Sequence, residues 1–328
     1  MSKYKLNDDF LKALSDDSEF NQDSTRAGFG RGLVIAGEQN EDVVALSADV
    51  TESVQVHKFA KKFPNRFIEV GVAEQNLVTV ASGMAHVGKI PFAAAYAAFS
   101  PGRNWEQIRT TIALNDVPVK IVGSHAGINV GPDGATHQML EDIALMRVLP
   151  NMVVIAPGDA IEAEKVTVVC AQDSCPNYIR LARDKSPIFS DSNSPFEIGK
   201  AYILKDGSDI TICSTGTMTA QALTAAEKLR DHKINAEVIH VPTIKPLDEE
   251  VILKSAYKTG HVVAVEEHQI AGGFGSAIAE LLSEKMPVPV KRIGINDQFG
   301  QSGTADELLK HYSLKAEDIV ESIIKFSI

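Results

Sequence analysis

Three short segments carry side chains that can exchange protons or bind polar groups. They are Asp49-Val-Thr-Glu-Ser53, Gly71-Val-Ala-Glu74, and a loop running from Ser124-His125 through Asp133 to His137. Two histidines, an aspartate and a glycine-rich bend in one loop, beside two further ionisable segments, are a specific signal of a site. Gly127, Gly131 and Gly134 let that loop turn tightly and bring its backbone close to a ligand. Each residue also has a structural role open to it. Glu74 suits the positive end of a helix dipole. Asp133 before Gly134 suits a turn, Asp49 a turn or helix cap, and His125 a loop histidine with its own partners. Tyr96 and Phe99, three apart in an alanine-rich run, suit a core as readily as a ligand platform.

An alternating α/β chain must position these segments. Short β-branched runs predict strands at 43–48, 67–70, 117–123, 152–156, 178–182, 209–214, 236–241, 261–265 and 288–293. Helical patterns lie between them, for example at 74–87, 159–171, 217–229 and 275–284. Apolar strands alternating with helices imply parallel sheets covered on both faces. Ligands in such sheets bind beyond the carboxyl ends of strands, and each of the three segments follows a predicted strand. The stretch 185–198 holds two Ser-Pro pairs and little apolar periodicity, and reads as a linker. The expected domains are residues 1–190, with an N-terminal helix, and 191–328.

A length of 328 residues suits two domains at roughly 150 residues each. With 44% hydrophobic and 23% charged residues, each half can bury a core. The 32 basic and 43 acidic residues leave a net charge of -11, which disfavours nucleic acid and anionic membranes but not a small anionic substrate in a cleft. Cys170, Cys175 and Cys213 form no CxxC pair and suggest a reducing compartment. With no signal peptide and no long apolar run, a soluble cytoplasmic protein is expected. Gly273-Phe-Gly275 lacks the third glycine of a dinucleotide fingerprint and reads as tight packing. Glu266-Glu267-His268 lies on a strand whose residues alternate faces, so no metal site is expected there.

Residues 66–159 resemble the pyrimidine-binding domain of transketolase. The carriers are Glu69-Val-Gly-Val-Ala-Glu74-Gln-Asn, Tyr96-Ala-Ala-Phe99, His125 and Gly131-Pro-Asp133-Gly-Ala-Thr-His137-Gln. The resemblance continues through Ser214-Thr-Gly-Thr, Ile244-Lys-Pro-Leu-Asp248 and Val265-Glu-Glu-His-Gln-Ile-Ala-Gly-Gly-Phe-Gly. It implies an α/β fold of two doubly wound domains, a thiamine-diphosphate pyrimidine-binding domain and then a transketolase C-terminal domain. By resemblance, Glu74 hydrogen-bonds the aminopyrimidine ring and favours the imino tautomer that takes the proton of the thiazolium carbon. Tyr96 and Phe99 match the aromatic wall around that ring, and Asp49 an acidic residue near the cofactor. His125 and His137 match histidines that contact sugar hydroxyls and shuttle protons, which makes Glu74, His125 and His137 the catalytic set. Asp133 matches the reader of a sugar hydroxyl, and Arg26, Ser53 and Arg183 the phosphate end. Past Phe99 the family often has another aromatic residue, where this sequence offers Arg103 and Trp105.

Transketolases also carry a diphosphate-binding domain, whose Gly-Asp-Gly and downstream Asn hold a divalent metal. This sequence has no Gly-Asp-Gly. The resemblance therefore implies the C-terminal half of a split transketolase, transferring a two-carbon ketol unit from ketose phosphate to aldose phosphate. Thiamine diphosphate is the expected cofactor, with Mg or Ca held by an N-terminal partner subunit in a heterotetramer and no metal ligand on this chain. Rival readings are a 1-deoxy-xylulose-phosphate synthase, the beta subunit of a 2-oxo-acid dehydrogenase, and a non-catalytic interaction subunit. His125 stands against the first, a family that tends to place an acid there, and the loop Asp133-Gly-x-Thr-His137 argues for transketolase.

Overall fold

The computed structural model describes residues 4–16 and 18–327. Its strands are β1 (Gln22–Ser24), β2 (Val43–Ser47), β3 (Phe67–Glu69), β4 (Ile90–Tyr96), β5 (Lys120–Ser124), β6 (Val153–Ile155) and β7 (Asn177–Arg180). Then follow β8 (Lys185–Pro187), β9 (Tyr202–Lys205), β10 (Ile210–Ser214), β11 (Ala236–His240), β12 (Thr243–Lys245), β13 (Val262–Gln269) and β14 (Val290–Ile295). A seven-stranded sheet has the order β12-β6-β7-β5-β4-β2-β3, and a five-stranded sheet the order β14-β13-β10-β11-β9. Neighbours are parallel except for β12 on β6 and β9 on β11, each at a sheet edge.

Successive side chains on a strand point to opposite faces, and both faces here are buried. On β2, Val44 and Leu46 join one apolar cluster while Val43 and Ala45 join another. The first of these clusters also takes Cys213, Ile239, Val262 and Ala264 from the second sheet. One continuous apolar layer therefore packs the two sheets together.

Three features depart from the sequence expectation. Strand β4 lies inside the sheet between β2 and β5, where its Ala93, Ala94 and Ala95 are buried. Alanine is a poor strand former by propensity, so burial decides its place. Strand β12 follows β11 of the second sheet in sequence, yet completes the edge of the first. The segment read as a linker at 185–198 is packed: β8 pairs with β1, Ser190 Oγ donates to Asp159 at 2.7 Å, and Lys165 Nζ donates to the Asp191 and Ser194 carbonyls at 2.6 Å. Pro and Ser here mark irregular backbone held by side chains rather than a free tether. An N-terminal helix, Asp8–Asp16, buries Phe10 and Ala13.

Candidate active site

The ends of adjacent strands bring the candidate residues together. Tyr96 closes β4 and pairs in register with Ser124, the last residue of β5. His125 follows with φ 59°, a left-handed conformation that turns the chain off the strand. Its imidazole then lies flat on the Tyr96 ring, centroids 3.8 Å apart and planes 15° from parallel. Phe99 is stacked nearly parallel to Tyr96, at 6.0 Å and 8°. His137 meets both rings edge-on, 6.3 Å from Tyr96 and 5.4 Å from Phe99. Four rings from two strand ends thus form one wall.

His125 is 1% exposed and shares a 2.9 Å hydrogen bond between Nδ1 and Ser124 Oγ. Burial, then the charges of Arg26 and Arg183, then His137, push its pKa down to about 3. The ring is neutral at working pH, so it can donate or accept without bringing a charge of its own. His137 contacts Thr136 Oγ1 through Nδ1 at 2.9 Å.

Beyond His125 stands a cationic corner. Arg26 donates through Nε to the Arg183 carbonyl at 2.8 Å and through Nη1 to the Ser53 carbonyl at 2.7 Å. Burial and the facing Arg183 lower the Arg26 pKa. Two cations held this close repel unless an anion lies between them. Ser53 donates its hydroxyl to the Val50 carbonyl at 3.0 Å. Asp133 lies 3.6 Å from Arg183, so the hydroxyl-reading and anion-reading candidates meet.

At the other end of the wall, Glu74 opens the helix Glu74–His86 and is 5% exposed. Its Oε2 accepts from Arg103 Nη1 at 3.2 Å, and the Arg103 guanidinium lies 4.3 Å from the Phe99 ring centroid. Trp105 turns away and donates to the Leu145 carbonyl at 2.8 Å. Arg103 is therefore the residue that lines the wall past Phe99. Asp49 is exposed and left-handed, and its amide donates to Glu69 at 2.7 Å. No described contact joins its carboxylate to the ring wall. A continuous series of contacts and charges otherwise links Glu74, Phe99, Tyr96, His137, His125, Arg26, Ser53, Arg183 and Asp133.

Several supports escape a reading by residue type. Glu69 accepts from the Asp49 amide, the Thr51 hydroxyl at 2.9 Å and the Gly71 amide at 2.9 Å, tying together two strand-end loops. Glu267 of β13 crosses to the first domain and accepts from the Asn129 amide at 2.8 Å. Asn129 Oδ1 in turn accepts from the Arg183 amide at 2.9 Å. A Cβ on Gly127 would stand 2.2 Å from Glu267 Oε1, so only glycine lets the loop pass. Glutamate 267 is thus a brace for the histidine loop. The one available signal was its place in the Glu266-Glu267-His268 triplet. Glu266 accepts from the Phe274 and Gly275 amides at 2.6 and 2.8 Å. The Gly-Phe-Gly turn therefore closes on an internal carboxylate, which occupies the helix N-terminus where a nucleotide phosphate would sit. Among the described residues, no group of three or more His, Cys, Asp or Glu is placed to hold a metal ion. No helix among them is long and apolar enough to cross a membrane.

Comparison with known proteins shows the family. The transketolase pyrimidine-binding domain matches residues 22–187, and the transketolase C-terminal domain matches residues 199–319. A protein of Methanocaldococcus jannaschii described as a transketolase C-terminal section is 48% identical, over 92% of this chain and 95% of its own. The 6-deoxy-6-sulfo-D-fructose transketolase subunit of a Clostridium species is 42% identical, over 88% of this chain and 90% of its own. A solved structure described as a split gene transketolase, inactive beta4 tetramer, superposes with a TM-score of 0.87 at 45% identity, covering 93% of this chain and 98% of that one. This chain belongs to the transketolase family, as the section that carries the pyrimidine-binding and C-terminal domains of a split, two-subunit transketolase.

Proposed function

We propose that the ring wall between Glu74 and the Arg26–Arg183 corner is half of a ketol-transfer site. A subunit bearing the diphosphate-binding domain would complete it in a heterotetramer. The observation that carries this reading is the continuous series itself: a buried carboxylate, an aromatic wall, two imidazoles of which His125 is neutral, and an arginine pair, in that order. The residues fit the pyrimidine end of thiamine diphosphate. Tyr96 and Phe99 offer parallel faces, and Glu74 is a buried carboxyl linked to Phe99 through Arg103. Bound there, the cofactor supplies the nucleophilic carbon and the electron sink for breaking a carbon–carbon bond. Glu74 holds a proton at the ring nitrogen.

His125 and His137 contact the sugar hydroxyls and move protons to and from the substrate oxygens. A neutral His125 can take a proton from a hydroxyl, which an imidazolium cannot. Asp133 accepts a hydrogen bond from a sugar hydroxyl and so rejects substrates that lack it. Arg26, Ser53 and Arg183 hold the anionic end, whether phosphate or sulfonate. Asp49 approaches the cofactor from the exposed rim. The divalent ion, Mg or Ca, belongs to the partner subunit. A role in pentose phosphate metabolism, a cytoplasmic setting and a division into residues 1–190 and 191–328 belong to the same proposal; the three free cysteines and the two matched domains support the last two.

Ketol transfer and pyruvate decarboxylation, assayed side by side in the reconstituted complex, test the assignment. Transfer between a ketose phosphate and an aldose phosphate is expected. Preferential turnover of pyruvate would assign the site to a 2-oxo-acid or deoxy-sugar chemistry instead.

A further inference from the structure

The Arg103 guanidinium is a flat cation that makes two contacts at once. It lies 4.3 Å from the Phe99 centroid, and its Nη1 donates to Glu74 Oε2 at 3.2 Å. These are the two contacts that the proposed function gives to the aminopyrimidine: stacking against the aromatic wall and a hydrogen bond to the same carboxylate. The anchors and the arginine differ in burial. Glu74 is 5% exposed and fixed at a helix start, with its carbonyl held by Asn104 Nδ2 at 2.7 Å. The Arg103 side chain is 54% exposed, and a long flexible stem lets it leave toward water. Ring and guanidinium cannot both take that oxygen and that face of Phe99.

We propose that Arg103 is an internal stand-in for the cofactor ring. It occupies the pyrimidine place in the unloaded subunit and is displaced when thiamine diphosphate binds. The inference rests on the placement of the ring at Glu74 and adds a competing group to it. A planar cation satisfies the buried carboxylate and covers the aromatic face before loading, so neither is left bare in water. The consequence is a weaker cofactor than the bare wall would bind, because loading must first break the arginine's contacts. Arg103 is thereby a positioning residue that sets cofactor affinity and does not touch the reacting atoms.

The test is calorimetric titration of thiamine diphosphate into the complex reconstituted with the diphosphate-binding subunit. Wild type, Arg103→Ala, Arg103→Lys, Glu74→Ala and the double variant are compared. Arg103→Ala is expected to tighten binding roughly three- to tenfold, the combined worth of a part-exposed ion pair and a cation–π contact. Arg103→Lys keeps the charge without the flat face and should fall between. The gain from Arg103→Ala should shrink in the Glu74→Ala background, where half of the arginine's hold is already gone. Unchanged or weaker binding by Arg103→Ala would overturn the stand-in and make the arginine a permanent part of the wall. Glu74→Ala must itself weaken binding; if it does not, the placement of the ring at Glu74 fails, and the stand-in with it. If Glu74→Ala weakens binding and Arg103→Ala does not tighten it, only the stand-in fails.

Discussion

Glu74 and His125 show how burial assigns chemistry to ordinary side chains. Replacing Glu74 by alanine removes the proposed proton holder; among the described residues its side chain is bonded by Arg103. Turnover in the complex should fall by roughly 10²- to 10⁴-fold, while light scattering shows assembly intact; unchanged turnover would contradict the role. The His125 pKa of about 3 fixes two pH effects. No inflection from His125 should appear in a rate profile between pH 5 and 9. Its effect on stability has a definite sign. Unfolded histidine, with an ordinary pKa of about 6.5, binds a proton between pH 6.5 and 3 that the folded state refuses. Stability therefore falls as pH drops through that window. His268, buried and lowered to about 4, acts in the same direction. Glu266 acts in the opposite one. Burial raises it to about 7, so the folded state holds a proton that the unfolded chain releases, and that contribution is lost as pH rises through 7. Urea midpoints measured from pH 4 to 7 should show a shallower acid decline in His125→Gln; an unchanged slope would contradict the buried neutral ring. The placing of Glu74, His125, Asp133 and His137 just past strand ends was legible from the sequence. Arg103 was not separable from Trp105, because a loop sequence does not say which of two near neighbours turns inward.

Strands and loops set the site by register. Tyr96 opposite Ser124 is a pairing fact, and with the left-handed turn at His125 it puts the imidazole on the tyrosine ring. Most parallel strands were readable from β-branched runs, since burial on both faces demands apolar residues throughout. The alanine-rich β4 and the edge strand β12 were not, because tertiary packing rather than local propensity places them. The bracing between domains was equally invisible, being made of residues distant in sequence. Asp142 accepts from the Tyr178 hydroxyl and from Arg180 Nε, both at 2.8 Å, and Arg180 Nη2 donates to the Glu267 carbonyl at 2.8 Å. Asp142→Ala leaves the buried Arg180 without its carboxylate, at a cost of roughly 3–5 kcal/mol. A marked drop in the denaturant midpoint is expected. A midpoint within error of wild type would show that Arg180 gains nothing from Asp142. His240 makes a similar tie, from β11 to Glu162 of the first domain at 2.7 Å.

Across the whole molecule, two sheets share one apolar layer, and the histidine loop is held by a carboxylate from the second domain. The C-terminal domain therefore shapes the site without lining the ring wall. The overall charge of -11 gives no hint of the cationic corner at Arg26 and Arg183, which arises only when residues 157 apart meet in the fold. Two-domain length and α/β alternation were legible from the sequence. The packed character of 185–198 was not, since Ser and Pro signal irregular backbone whether it is free or held. The most direct test of the half-site is ketol transfer by the purified chain with thiamine diphosphate and Mg, first alone and then after adding the diphosphate-binding subunit. The half-site predicts no turnover from the chain alone and turnover that rises to a plateau at one partner per chain. Ketol transfer by the chain alone, at the rate of the mixture, would contradict it.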